Sequence, residues 1–240
     1  MSSPTANISA NLDAIRKRIQ HAAVTSGRDP DSIRLIAVSK YMPEDYVRQA
    51  MLTGQRCFCE NTLQDALSKQ SLIDDPATEW HFIGHLQSNK AKHIPGNFDW
   101  LHTLDSLKLA KRLSAAASPA TTLRVLLQVN IANDPDKFGL PAASLFRFID
   151  ELLQAELSGI QLRGLMMIGH RDATATERRR DFSALFELGQ NCATRFGTAL
   201  FSEYSMGMSG DFEDAIAEGA TMIRVGTAIF GPRPHHDEGI

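Results

Sequence analysis

Short apolar runs recur along this chain, each followed by a stretch at helical spacing, and that alternation constrains the fold more than any other feature. The first run, 33–40, reads IRLIAVSK and is nearly continuous in apolar residues, as a parallel strand covered on both faces requires. Further strands are expected at 56–59, 80–84, 98–103, 123–131, 162–166, 201–205 and 221–225. Helices are expected at 6–26, 43–53, from Asn61 onward, and at 88–93, 106–117, 141–157, 174–196 and 211–218. In 43–53, Pro43 is placed at the first helical position, with Glu44 and Asp45 favoured by the helix dipole. Eight strands with helices between them, and no break in composition, predict one closed (β/α)8 barrel in a single domain over 1–240. Within it the barrel takes about 33–231, after an N-terminal helix at 6–26 and before a short tail. An open doubly wound sheet is the competing arrangement, but no GxGxxG follows the first strand.

A formal net charge of -3 with 22% charged residues argues against a nucleic-acid surface of the usual basic kind. No apolar run approaches the roughly 20 residues needed to cross a bilayer, and the start of the chain lacks the apolar core of a secretion signal. A cytoplasmic protein is expected. Cys57, Cys59 and Cys192 suggest neither a disulfide framework nor a zinc site, so free thiols are expected, the first two on one face of a strand.

Active sites of such barrels gather at the C-terminal ends of the strands. Those ends carry Lys40, Glu60, Asn61, His85, Asn130, Met167, the run from Ser205 to Ser209, and Arg224 to Thr227. An amine at that edge, beside a low-dielectric core, can form a Schiff base with a carbonyl, although a rim lysine whose ammonium snorkels to water is the ordinary alternative. SMGMSGD and RVGTAIFG place small residues after the seventh and eighth strands, where backbone N–H groups cup a phosphate in many barrels. Met222, Arg224 and Gly226 share one face by the two-residue period, as do Ile36, Val38 and Lys40.

AVSK, FCEN, WHFIGHLQSNK, LLQVNI, RGLMMIG, SMGMS and TMIRVGTAIFGPR occur in that order from about Ile8 to Arg233, and together they resemble the YggS/PROSC family of pyridoxal 5'-phosphate (PLP) homeostasis proteins. The resemblance implies a single TIM barrel of the alanine-racemase type (PLP fold type III) without the C-terminal β domain. It also implies PLP bound as an internal aldimine and no established turnover. Carried over residue by residue, Lys40 resembles the Schiff-base lysine and Asn61 the pocket asparagine. Met208, Ser209, Gly226 and Thr227 resemble the phosphate contacts, and Arg224 the arginine facing the pyridine nitrogen. A guanidinium cannot accept a proton, so it would leave that nitrogen neutral and support carbanion chemistry poorly.

This chain departs from the family pattern at Cys59, where FCEN stands for FGEN and bears on the placement of Asn61, and at His170, after LMMIG. His81 and His85 invite a metal reading, but no third ligand is spaced to complete it, and hydrogen-bonding histidines are expected. Arg178, Arg179 and Arg180 read as a solvated helix face, and Tyr41 and Tyr46 as rim or structural residues. The resulting expectation is a protein that holds PLP on Lys40 for intracellular PLP homeostasis and hands it to PLP-dependent apoenzymes, as a monomer or weak dimer. The alternatives are a weak PLP-dependent amino-acid racemase and a scaffold barrel with an inert lysine.

Overall fold

A computed structural model describes residues 7–73, 75–118, 122–169 and 173–232. Helix α1 (Ile8–Thr25) is started by the Asn7 side chain, which accepts from the Ala10 N–H. Then come β1 (Arg34–Val38), α2 (Glu44–Leu52), β2 (Cys57–Glu60), α3 (Leu63–Leu72), β3 (Glu79–Phe82), β4 (Trp100–Leu104) and α4 (Leu107–Ala116). The second half has β5 (Leu123–Asn130), β6 (Leu140–Pro141), α5 (Leu145–Gln154), β7 (Ile160–Met166), α6 (Ala175–Phe196), β8 (Glu203–Ser205), α7 (Phe212–Ala217), β9 (Met222–Val225) and α8 (Thr227–Phe230). The strands run in the order β4-β3-β2-β1-β9-β8-β7-β5, and β4 pairs with β5, so eight parallel strands close into a barrel. The two-residue β6 lies outside the ring, paired in parallel with Val129 and Asn130 at the end of β5.

Several elements differ in detail from the pattern in the sequence. β1 stops at Val38, so Lys40 lies two residues past the strand, in the turn itself. Pro43 caps α2 with ψ 154 rather than occupying its first turn. The polar segment after β3 is a 3-10 helix, Ser88–His93. After β5 the chain pairs again at β6 before α5 begins at Leu145, because Leu140 finds a buried place beside Val129. The seventh barrel strand begins only at Glu203, since Phe201 closes a 3-10 turn, Thr198–Leu200. His170 and the stretch 233–240 lie outside the described residues.

Helix α1 packs along α7 and α8, the two helices that follow the last strands. It buries Ile8, Leu12, Ile15 and Ile19 there, each worth about 1.5–3 kcal/mol relative to exposure. Asn11 donates to the Ile229 carbonyl at 2.8 Å, and Arg28 donates to the Ile216 and Ala220 carbonyls. The N-terminal helix thus props the end of the barrel where the glycine-rich turns lie.

The barrel interior divides by chemistry. Ile36, Val38, Cys59, Leu126, Met166 and Met222 form an apolar cluster around Trp100. Through the same space runs a set of buried polar side chains: His81, His102, Ser205 and Arg224. Layers of aliphatic side chains usually fill such barrels, so four polar groups at the centre mark a departure that packing alone does not require.

Candidate functional site at the C-terminal mouth of the barrel

The β1–α2 turn carries Lys40. Met42 N–H returns to the Ser39 carbonyl at 3.0 Å, and Tyr41 takes φ 63, a conformation costly for a bulky residue. A buried network fixes this turn. Lys69, on α3, donates to the Ser39 carbonyl at 2.6 Å, to Glu60 Oε1 at 2.8 Å and to Asp65 Oδ2 at 3.0 Å. Ser39 Oγ donates to Glu60 Oε1 at 2.6 Å, and Tyr41 N–H donates to Asp65 Oδ2 at 3.0 Å. Burial pushes the Glu60 carboxyl up to about 7, against the pull of Lys69 and Ser39. Burial acts on Asp65 in the same sense, but the hydrogen bonds from Tyr41 and Lys69 outweigh it and hold its carboxyl below the usual value.

Asn61 follows β2 directly. Gly84 packs so closely against it that an added Cβ would stand 2.0 Å from the Asn61 carbonyl oxygen. Cys59, where the family motif has glycine, lies in regular strand pairing opposite Val38 and outside the positive-φ residues, with its side chain inside the barrel. A glycine is therefore not conformationally required there.

On the other side of β1 from β2, β9 pairs with it, Ala37 opposite Val225. Gly226 follows, and a Cβ on it would meet Val38 at 3.2 Å. Its N–H donates to Ser209 Oγ at 3.3 Å, and the Ala228 N–H reaches the same oxygen at 3.5 Å. Ser209 thereby joins the loop after β8 to the first turn of α8. Gly207 takes φ 90 in that loop, where a Cβ would overlap the Ala215 Cβ at 2.6 Å. Met208 and Thr227 are exposed on the rim. Arg224 is buried; it donates to Ser205 Oγ at 2.6 Å and to the Met167 carbonyl at 2.9 Å. The buried Cys59 thiol, which burial above all pushes up, feels the charges of both Arg224 and Lys40.

The geometry gathers Lys40, Asn61, Ser209, Arg224 and Gly226 at one end of the barrel, on β1, β2, β8 and β9 and the turns that follow them. Other strand-end residues are engaged locally. Asn130 both donates to and accepts from the backbone of Asp134, closing its own loop. His85 is exposed and stacks on Phe138 with ring centroids 3.6 Å apart. Tyr204 turns outward, its hydroxyl donating to the Phe201 carbonyl at 3.0 Å and accepting from Gln190. Arg179 pairs with Asp214 on α7 at 2.7 Å. His81 and His85 do not converge: His81 points into the barrel, where Glu79 and Cys57 lie beside it. The acidic neighbour that the sequence spacing seems to lack is Glu79, two positions earlier on the same strand face.

The alanine racemase N-terminal domain model matches residues 10–234. The pyridoxal phosphate homeostasis protein of Pseudomonas aeruginosa is 41% identical over 229 residues, covering 95% of this chain and 96% of its own. That of Escherichia coli K12 is 39% identical over 241 residues, with 95% and 98% covered. The chain belongs to this family. PipY of Synechococcus elongatus, solved with PLP bound, is 38% identical with a TM-score of 0.82, covering 94% of this chain and all of PipY. Alanine racemase of Clostridium difficile, at 16% identity and a TM-score of 0.72, shares the barrel fold; this chain spans 61% of its length.

The residues at the family's barrel mouth fit a phosphorylated pyridine aldehyde. Asn61 Oδ1 is buried with no hydrogen-bond partner among the described residues, leaving polar capacity that a ligand can satisfy. The Ser209 oxygen accepts from the Gly226 and Ala228 N–H groups and so keeps its hydroxyl proton for an anion, and Lys40 supplies an amine on the adjoining strand turn. Sequence reasoning does not single out Lys69, Glu79 or His102. Lys69 leaves a signal nonetheless, as a lone cation on the stripe Ala66, Lys69, Ile73 that α3 presents to the core.

Proposed function

We propose that this chain binds PLP at the C-terminal mouth of its barrel, holds it as a Schiff base on Lys40, and serves intracellular PLP homeostasis by keeping the aldehyde sequestered and handing it to apoenzymes. The observation that carries the reading is the pairing, on adjoining strands, of the Lys40 turn with the Ser209–Gly226 cradle in a chain 38% identical to a protein solved with PLP. PLP contributes a reactive aldehyde; the chain contributes the means to hold it. Lys40 is the covalent anchor. Ser209, through its hydroxyl and its N–H, and Thr227, through its N–H, take the phosphate; Met208 and Gly226 join them by exchanging the bonds their N–H groups make to Asp211 Oδ1 at 2.6 Å and Ser209 Oγ at 3.3 Å. Arg224 faces the ring nitrogen as a donor, and Asn61 lies beside the ring.

The same geometry supports a carrier rather than a racemase. Racemisation needs an acid or base on each face of the ring. Of the three tyrosines, Tyr204 is turned outward, Tyr46 packs against the hydrophobic core at α2, and Tyr41, at the rim beside Lys40, has its hydroxyl accepting from Asn61 Nδ2 at 3.4 Å.

The test is the absorption spectrum of the protein incubated with PLP, before and after borohydride, alongside Lys40→Ala. A visible band that reduction traps in the wild type and that Lys40→Ala lacks is expected. A wild-type protein that cannot be loaded, or a Lys40→Ala protein trapped equally well, refutes the anchor. Steady racemisation of an amino acid by the loaded protein would refute the carrier role.

A further inference from the structure

A continuous chain of buried polar side chains runs down the barrel axis from the mouth toward the opposite end. Arg224 donates to Ser205 Oγ at 2.6 Å, and Ser205 Oγ lies 2.8 Å from His102 Nδ1. His102 Nε2 lies 2.9 Å from His81 Nδ1, and His81 Nε2 lies 2.9 Å from Glu79 Oε1. Glu79 ends the chain near the N-terminal edge of the strands, where Arg124 meets it at 3.0 Å and Arg34 at 3.7 Å. Its members come from β9, β8, β4 and β3, so no local sequence motif contains it.

The chain has only one consistent direction. Burial raises the Glu79 carboxyl, but the His81 hydrogen bond and the Arg34 and Arg124 charges outweigh it and hold the group down at about 2. An ionised carboxylate accepts only, so His81 Nε2 carries a proton. Burial keeps the His81 ring neutral against the pull of Glu79, and its Nδ1 is then an acceptor. His102 must therefore donate from Nε2. Burial, with help from His81 and Arg224, keeps this ring neutral too, so its Nδ1 accepts from the Ser205 hydroxyl. The Ser205 lone pair then takes the Arg224 N–H. Every hydrogen bond points from the guanidinium toward Glu79. Trp100 locks the relay sideways, stacked on His81 at 5.7 Å with 3° between the planes.

Two other uses of these residues fit less well. Cys57, Glu79 and His81 lie close enough to hold a cation, but Arg34 and Arg124 already neutralise Glu79, and His81 spends its Nε2 on that carboxylate. Proton delivery to the mouth fails as well, because the last member, a guanidinium, neither gives up nor accepts a proton.

We propose that Glu79, His81, His102 and Ser205 are positioning residues that fix the orientation of Arg224 from the far end of the barrel and so set how the PLP site presents that group to a bound ring. The inference rests on the reading that Arg224 faces the ring. Its test begins on cofactor-free protein, with long-range nitrogen-15 NMR of the histidine rings. His81 and His102 should both be neutral Nε2–H tautomers in the wild type. In Ser205→Ala, the His102 Nδ1 signal should move toward that of an unbonded ring nitrogen while His81 stays as it was. PLP titration then follows. Ser205→Ala should bind PLP about tenfold or more weakly, the size of one lost hydrogen bond to a charged group, with a shifted absorption band. Ser205→Thr should restore both. Nδ1–H tautomers, a charged imidazole, or Ser205→Ala with wild-type affinity and spectrum would overturn the proposal. A wild type that does not load PLP refutes the cofactor site, and the proposal with it, while the tautomers still report whether the chain itself exists.

Discussion

Replacing Lys69 by Met should destabilise the protein by an amount that grows with pH. Lys69 is 4% exposed at its side chain and stands 2.8 Å from Glu60 Oε1 and 3.0 Å from Asp65 Oδ2. At an effective dielectric of about 20, a pair at the shorter of these distances attracts by about 6 kcal/mol before desolvation is subtracted. Breaking a buried pair by removing one partner costs about 3–5 kcal/mol, because the other charge is left in the core. That full cost applies only where Glu60 is ionised. With its carboxyl pushed up to about 7, Glu60 is mostly protonated at pH 5, and the variant then loses hydrogen bonds and the pair to the partly exposed Asp65, about 1–3 kcal/mol. The sign follows from linkage. A carboxyl raised in the folded state lends stability below its unfolded value of about 4.3, and that contribution is lost as pH rises through the folded value. Removing Lys69 raises the folded value further and extends the loss into the alkaline range. Urea unfolding at pH 5 and pH 9 measures this directly. With a slope of about 3 kcal/mol per M, the midpoint should fall by about 0.5 M at pH 5 and by about 1–1.5 M at pH 9. An equal deficit at both pH values, or a larger one at pH 5, would refute the assignment of Lys69 as the counter-charge of Glu60.

Glu60→Gln should abolish the wild type's own decline in stability between about pH 4.5 and 7, a span worth about 3 kcal/mol, as read by the same unfolding series. Gly207→Ala combines φ 90 with a 2.6 Å overlap on Ala215 and should lower stability by about 2–4 kcal/mol, visible as a drop in thermal midpoint. Ser209→Ala should leave the fold intact and weaken PLP binding by about tenfold, measured by titration with PLP and with inorganic phosphate as competitor.

The barrel itself was legible because its evidence is periodic. Each strand contributes an apolar run, and each helix an amphipathic stripe. The ends of elements were less legible, because tertiary pairing and turns decide them: β6 exists only because β5 offers it an edge, and β1 stops at Val38 because the Met42 N–H returns to the Ser39 carbonyl and turns the chain. Lys40, Asn61, Ser209 and Arg224 could be placed at strand ends by counting alone. Lys69, Glu79 and His102 could not, since beside local partners such as Asp65 and His81 each depends on groups 20 or more positions away that only the closed barrel brings alongside. A lysine in a helical stripe and a histidine in a strand read as ordinary surface or core residues until the barrel closes.

The two buried networks also bear on why the chain has a polar interior at all. Filling a barrel with aliphatic layers is the more stable solution, and replacing buried charge networks with well-packed apolar groups is often neutral or stabilising. Here one network ends under the Lys40 turn and the other under Arg224, on the neighbouring strands β1 and β9. Both therefore stiffen the same mouth from beneath. Tyr41, Met208 and Thr227 lie exposed at the rim above them, with the Tyr41 hydroxyl accepting from Asn61 Nδ2 at 3.4 Å. On the proposed function, a rigid floor beneath the mouth suits the site, since the grip on a bound aldehyde is built below the ligand.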